Sequence, residues 1–215
     1  MLNVAILISG RGSNMQALVR ESQKENAPFR VVCVLSNKAD AAGLAWAQEQ
    51  GIHTVVVPHK DFNKDRQAFE QVINEKLQEC GAQLVCLAGF MRLLTPWFVQ
   101  QWRDRFINIH PSLLPAFPGL DVQQKAIDYG AKLSGCTVHF VREEMDHGPI
   151  IAQAAVPVLP EDTAETLAAR ILKCEHQIYP QAVNWIAQNR VSIINEKVFI
   201  ADAKAPQSLT NPCAE

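Results

Sequence analysis

Short apolar runs alternate with longer stretches of mixed polarity over the first two-thirds of the chain. Residues 4–8, 31–35, 53–57 and 84–88 are Val-, Ile- and Leu-rich runs of strand length, and they read as buried strands. Between them, residues 14–25, 39–50 and 64–79 carry apolar positions at helical spacing. A string of such units predicts parallel strands with helices covering both faces. A short helix beginning near Thr95 and Pro96 then leads to a fifth strand at 106–109.

Beyond that point the pattern changes. Residues 136–141 and 150–158 are strand-like and are joined by a charged loop ending in His147-Gly148-Pro149, which predicts a hairpin at the sheet edge. Asp162-Thr163-Ala164-Glu165 has a capping acid with a glutamate three residues on, the start of a helix. Leu167, Ile171, Cys174 and Ile178 form its apolar stripe, and Pro180 is expected to end or kink it. Residues 192–194 and 198–201 follow as two short strands. From Lys204 the tail is polar and expected to be loose. The expectation is one α/β domain over residues 1–203, built on a doubly wound, mostly parallel sheet with an antiparallel hairpin at one edge, then a tail at 204–215.

Composition narrows the class. The chain has 215 residues, 48% of them apolar, enough to bury a core without staples. A net charge of −2 and a pI near 6.3 argue against a nucleic-acid partner. They do not exclude a small anionic substrate, because a local cluster of donors can oppose the overall sign. The cysteines (Cys33, Cys80, Cys86, Cys136, Cys174 and Cys213) form no C-x-x-C pair and have no zinc-ligand spacing. They read as small apolar residues in a reducing compartment, with no metal. The apolar run at 2–8 is too short for a signal peptide, and no run reaches the length of a membrane span. A soluble cytoplasmic protein, monomeric or homodimeric, is expected.

Two places carry candidate chemistry. Ser9-Gly10-Arg11-Gly12-Ser13-Asn14 lies between a strand and a helix, where glycines let backbone approach an anion and helix-start amides bind phosphate oxygens. Met15 stands where a dinucleotide fingerprint needs its third glycine, and no Gly-Lys-Ser/Thr follows for a Walker loop. A plain turn with Ser13 and Asn14 as cap donors stays open beside a phosphate site of another type. The strand before and the helix after favour the second.

Asn108 and His110 lie two apart at the end of a strand, so both face one side. Pro111 leaves the histidine at the strand's carboxyl end, the edge where open α/β sheets bind ligands. Imidazole passes protons near neutral pH, and an amide donates to an oxyanion. The three prolines among residues 111–119 imply a rigid loop holding that side chain in place. The segment Arg142-Glu143-Glu144-Met145-Asp146 reads equally as a solvated turn. Asp146, however, precedes the Gly148-Pro149 corner, and a fixed carboxylate near His110 would orient the ring and favour its imidazolium.

At these positions the chain resembles the folate-dependent formyltransferases. The resemblance rests on residues 7–14, on Ser36-Asn37-Lys38-Ala39-Asp40, on Ala88-Gly89-Phe90-Met91-Arg92-Leu93-Leu94, on Asn108-Ile109-His110-Pro111-Ser112-Leu113-Leu114-Pro115 and on the Asp146-x-Gly-Pro corner. It runs from about Leu2 to about Trp185, and the glycine loop points to the glycinamide ribonucleotide branch. What it implies is a Rossmann-like formyltransferase fold and transfer of a formyl group from 10-formyltetrahydrofolate, a co-substrate, to glycinamide ribonucleotide. Asn108, His110 and Asp146 match the family's catalytic trio. Gly12, Ser13 and Asn14 match its phosphate site, and Glu175 a residue that holds the rest of the nucleotide. Arg66 matches an arginine that meets the folate tail. Met91, Arg92, Leu93 and Leu94, with Asn108 and with Val141, Arg142, Glu143, Glu144 and Met145, match the walls of the pterin pocket. The chain departs from the family pattern at Asp121, Gln123 and His147. Two rival readings are kept: a hydrolase of the same formyl folate, and a non-catalytic nucleotide-binding module, which has no use for the trio.

Overall fold

The computed structural model describes residues 1–204 and residue 211. Most of the expected tail, with Cys213, lies outside them. Fifteen regular elements follow in chain order: β1 (Leu2–Ile8), α1 (Ser13–Ser22), β2 (Phe29–Ser36), α2 (Ala42–Glu49), β3 (Thr54–Val56), α3 (Arg66–Glu79), β4 (Leu84–Leu87), α4 (Pro96–Gln101), β5 (Phe106–His110), α5 (Val122–Asp128), β6 (Leu133–Phe140), β7 (Ile150–Pro157), α6 (Ala164–Ala187), β8 (Val191–Ile194) and β9 (Lys197–Ile200). A 3-10 turn, His59–Phe62, precedes α3. The main sheet has seven strands ordered β3-β2-β1-β4-β5-β6-β7, and β8 and β9 form a separate antiparallel pair. The doubly wound, mostly parallel reading therefore holds, with its antiparallel hairpin β6–β7 at one edge.

The chain divides into two compact units. The first comprises residues 1–108 and 140–143. Within it β1 pairs in parallel with both β2 and β4, β2 with β3, and β4 with β5. Strand order thus runs one way from β1 through β2 to β3, and the other way through β4 to β5. The reversal lies between β1 and β4, and their carboxyl ends open a crevice there. Beneath it, Leu7, Leu35, Val85, Ile73, Leu77, Phe98 and Phe106 form a fully buried core.

The second unit comprises residues 109–139 and the described residues from 144 onward. β6 and β7 pair from Leu133↔Pro157 to His139↔Ile150. The predicted stripe of α6 meets Cys136 and Val156 of this hairpin through Leu167 and Ile171, flanked by Cys174 and Ile178.

Three local features differ from the sequence expectation. Of the two outcomes expected at Pro180, the helix does not end there: α6 continues to Ala187. The interior proline costs about 3 kcal/mol. Tyr179, Ala182 and Val183 are fully buried around it, and burying side chains of Val size or larger returns about 1.5–3 kcal/mol each. The cap of α6 is Thr163, bonded reciprocally with Thr166. Asp162 accepts instead from Leu159 N, Thr166 Oγ1 and the two-pronged Arg170 guanidinium, which holds its carboxyl well below the usual carboxylate range. The short helix α5 was not foreseen: it buries only Val122 and Ala126, too few positions to show a period.

Candidate functional site

In the first unit, backbone bonds and the Ser9 hydroxyl hold the segment after β1. Ser9 N donates to Gly89 O at 3.0 Å, and Gly43 N, on α2, donates to Gly10 O at 3.0 Å. Gly12 is the N-cap of α1 in the left-handed region (φ 69°), with no side-chain cap bond. The first bond of α1 runs from Gln16 N to Gly12 O, so the amides just before it have no partner within the helix. Ser13 and Asn14 are the first two residues of α1. Gly43 permits the close approach of α2. A Cβ there would lie 2.6 Å from Ile8 Cδ1 and 3.0 Å from the carbonyl oxygens of Gly10 and Arg11.

Ser9, Gly10, Arg11, Gly12, Ser13 and Asn14 line an open cavity of about 260 Å³ together with Ala88, Gly89 and Met91. It sits at the β1/β4 reversal. The structure thus brings the glycine loop and the start of the Met91–Leu94 segment to one cavity. Met91 and Leu93 are 69% and 60% exposed, while Arg92 and Leu94 are half-buried. Val141 N donates to Phe106 O at 2.8 Å, Arg142 pairs with Asp104 at 2.7 Å, and Gln100 donates to Glu143 Oε1 at 2.7 Å. Three residues expected along one pocket wall are thus tied to the elements around α4 and β5. Arg66 is exposed at the first position of α3, which Asp65 caps through Ala68 N. Asn108, half-buried, ends the first segment of this unit.

In the second unit, His110 and Asp146 meet. Their Nδ1 and Oδ1 atoms are 3.5 Å apart, and each side chain is 7% exposed. The other oxygen of Asp146 accepts from Gly119 N at 2.9 Å, and Asp146 itself is left-handed (φ 57°). His110 Nε2 faces the Phe117 carbonyl at 3.2 Å. The ring therefore has an acceptor on each side, and only the imidazolium can donate to both.

The loop that carries these groups is pinned by side chains. Thr137 Oγ1 donates to Ser112 O at 2.7 Å and accepts from Leu114 N at 3.0 Å. Gln153, opposite Thr137 in the hairpin register, donates to Leu114 O at 2.8 Å. Ser112 Oγ closes the loop onto Ala116 O at 2.7 Å. Sequence reasoning missed Thr137 and Gln153. Their one signal was a polar residue inside an apolar strand run; Thr137 is fully buried there and needs partners, whereas Gln153 is exposed. Glu144 and Met145 are exposed. Glu175 is buried on α6. Burial first, and the Glu175 charge second, push the Cys136 thiol up to about 12, leaving an inert thiol.

Among the described residues, no cluster of three or more His, Cys, Asp or Glu side chains could hold a metal ion. Among those residues, too, no helix is long and apolar enough to cross a membrane.

Comparison with known proteins gives concordant matches. The family model described as formyl transferase matches residues 2–183. The phosphoribosylglycinamide formyltransferase of Haemophilus influenzae is 39% identical over 208 residues, covering 97% of this chain and 98% of that protein. The trifunctional purine biosynthetic protein adenosine-3 of Bos taurus is 47% identical over 190 residues. The match covers 88% of this chain but 19% of the trifunctional protein, so the chain spans about a fifth of that relative's length. The crystal structure of glycinamide ribonucleotide transformylase 1 from Symbiobacterium toebii superposes with a TM-score of 0.91 at 46% identity, covering 94% of this chain and 95% of the other.

Proposed function

The chain belongs to the formyl transferase family, and on that premise we propose that it transfers the formyl group of 10-formyltetrahydrofolate to the amine of phosphoribosylglycinamide, a step of purine biosynthesis. The observation that carries the reading is the buried His110–Asp146 pair: an ionisable ring held between a carboxylate and a carbonyl at the end of a strand. The likeness to the H. influenzae enzyme over nearly the whole of both chains supports the choice of acceptor.

The reaction is direct acyl transfer. The acceptor amine adds to the formyl carbon, and the carbonyl oxygen becomes an oxyanion. The carbon–nitrogen bond to the folate then breaks, and a proton arrives on the departing folate nitrogen. Asn108 and the imidazolium of His110 donate to the oxyanion, each worth about a hundredfold or more in rate. The 3.2 Å contact of Nε2 with the Phe117 carbonyl is long for a hydrogen bond to neutral oxygen, so an anionic oxygen competes with it favourably. Asp146 holds the ring from the other side, and His110, or a water it shares with Asp146, moves the proton. No side chain becomes acylated and no metal takes part.

The cavity beside Gly12, Ser13 and Asn14 receives the acceptor's phosphate on the amides at the start of α1. Glu175 holds the ribose–glycinamide portion. Arg66 meets the folate tail, and Met91 to Leu94, with 141–145, form the pterin walls. The test is to incubate the protein with a 10-formyl folate, with and without phosphoribosylglycinamide, and follow deformylation. The reading predicts turnover only when the phosphorylated acceptor is present. Equal consumption in plain buffer establishes the hydrolase instead.

A further inference from the structure

The first unit contains a fully buried carboxylate that the proposed chemistry does not use. Glu70, on α3, is 0% exposed. Its Oε1 accepts from Thr95 N at 2.8 Å, and its Oε2 from the Thr95 hydroxyl. Thr95 is the residue at which the chain leaves the Met91–Leu94 segment and enters α4. The other end of that segment is held in the same manner. Met91 N donates to Ser9 Oγ at 2.8 Å, and that hydroxyl donates to Asn37 Oδ1 at 2.6 Å. Asn37, 1% exposed at the end of β2, is braced in turn by His59, whose Nδ1 lies 3.2 Å from its Nδ2 and 3.0 Å from its carbonyl oxygen.

Between these two attachments stand Met91 and Leu93, two large apolar side chains left mostly exposed. An irregular segment with exposed apolar side chains gains little from packing, and without restraint it would sample many conformations. Buried polar groups with complete partners restrict it to one. Both attachments are hydrogen bonds to buried side chains, one of them a carboxylate, the stronger kind of acceptor. They differ in one respect. Ser9 is also the first residue of the glycine loop and lines its cavity, whereas Glu70 touches neither.

We infer that Ser9 and Glu70 are positioning residues that clamp the two ends of the Met91–Leu94 segment for its heterocyclic ligand, and that Ser9 alone couples this segment to the phosphate loop. The inference rests on the formyl-transfer reading for the names of the two ligands. It makes an asymmetric claim: loss at Glu70 affects one ligand, and loss at Ser9 affects both.

The experiment measures binding of each ligand separately to the full chain by calorimetry, and both KM values and kcat by steady-state kinetics. Glu70→Ala is expected to weaken the 10-formyl folate about tenfold, the loss of one strong hydrogen bond, and to leave phosphoribosylglycinamide unchanged. Glu70→Gln keeps an acceptor for Thr95 N and a donor for its hydroxyl, and restores most of the affinity. Thr95→Val, a milder cut at the same clamp, shifts folate binding in the same direction by less. Ser9→Ala is expected to weaken both ligands, and Ser9→Thr, which returns the hydroxyl, to recover both. A merely structural role lowers the melting temperature and the active fraction but leaves both KM values of the surviving enzyme in place. That result, or an equal loss of both ligands in Glu70→Ala, overturns the inference. Wild-type protein that binds neither ligand overturns the functional reading and the inference with it, whereas wild type that binds both while the variants fail to separate them overturns the inference alone.

Discussion

The loop at residues 9–14 is held by backbone bonds to Gly89 and Gly43 and, at its first residue, by the Ser9 hydroxyl, whereas the loop at 111–119 is held by the side chains of Thr137, Gln153, Ser112 and Asp146. On the proposed function, the contrast follows from what each loop would carry. A phosphate has a fixed charge and is met by backbone amides, so the first loop needs glycine where the chain turns left-handed and where α2 comes close. A proton-transferring histidine needs its protonation and orientation controlled, so the second loop needs a carboxylate and polar anchors around one ring. The first arrangement is vulnerable to an added Cβ, and the second to the loss of a functional group.

The largest effect is expected from the second loop. On the proposed mechanism His110→Ala removes the proton carrier and one oxyanion donor, so turnover should fall by about 10²–10⁴-fold while both ligands still bind. Steady-state kinetics beside calorimetry check it. A variant retaining turnover within a factor of about ten removes His110 from the chemistry.

Gly12→Val probes the first loop. At φ 69° a β-branched residue is strained, and its Cβ would also meet Met15 Cε at 3.0 Å. Strain of about 1–3 kcal/mol, relieved by moving the helix start, should raise the nucleotide KM about tenfold or more, with a smaller effect on folate. Gly43→Ala reaches the same loop from behind through Ile8 and two carbonyls, and should weaken the nucleotide several-fold. If either variant binds the nucleotide as wild type does, the backbone-built phosphate site is wrong.

The smallest effect is a control outside both loops. Asp162→Asn loses charge-assisted bonds to Arg170, which is partly exposed, so screening limits the cost to about 1 kcal/mol of stability with turnover unchanged. The Asp162 carboxyl is held below its ordinary range when folded. Its contribution is therefore present above about pH 4 and fades as pH falls below that value. Urea unfolding of both proteins at neutral and acidic pH checks the sign: the gap between them closes in acid.

What the sequence made legible divides along the same line. The parallel strands, the hairpin and the stripe on α6 are periodic, and each falls within a few residues of its expected bounds. The glycine loop is local too, readable from the glycines between a strand and a helix. The histidine loop is not local. Pro111 places His110 at a strand end, but Thr137 and Gln153 become its anchors only because the β6–β7 register sets them opposite each other. The continuation of α6 through Pro180 escapes a local reading for the same reason, since burial of Tyr179 and Val183 is tertiary. The attachment of Glu70 to Thr95 spans 25 residues and leaves no spacing to detect.

The claim that joins fold to chemistry is that Asp146 acts on His110, and Asp146→Asn tests it most directly. The substitution keeps the shape that accepts from Gly119 N and deletes the charge 3.5 Å from the ring. The groups shown facing that ring are Asp146 and the Phe117 carbonyl, so the amide variant leaves the ring without its carboxylate. Measured beside wild type across pH, turnover should drop by about one to several powers of ten, with both ligand affinities kept. A variant with the wild-type rate across that range contradicts the account, and leaves Asp146 as a turn residue that happens to lie beside a histidine.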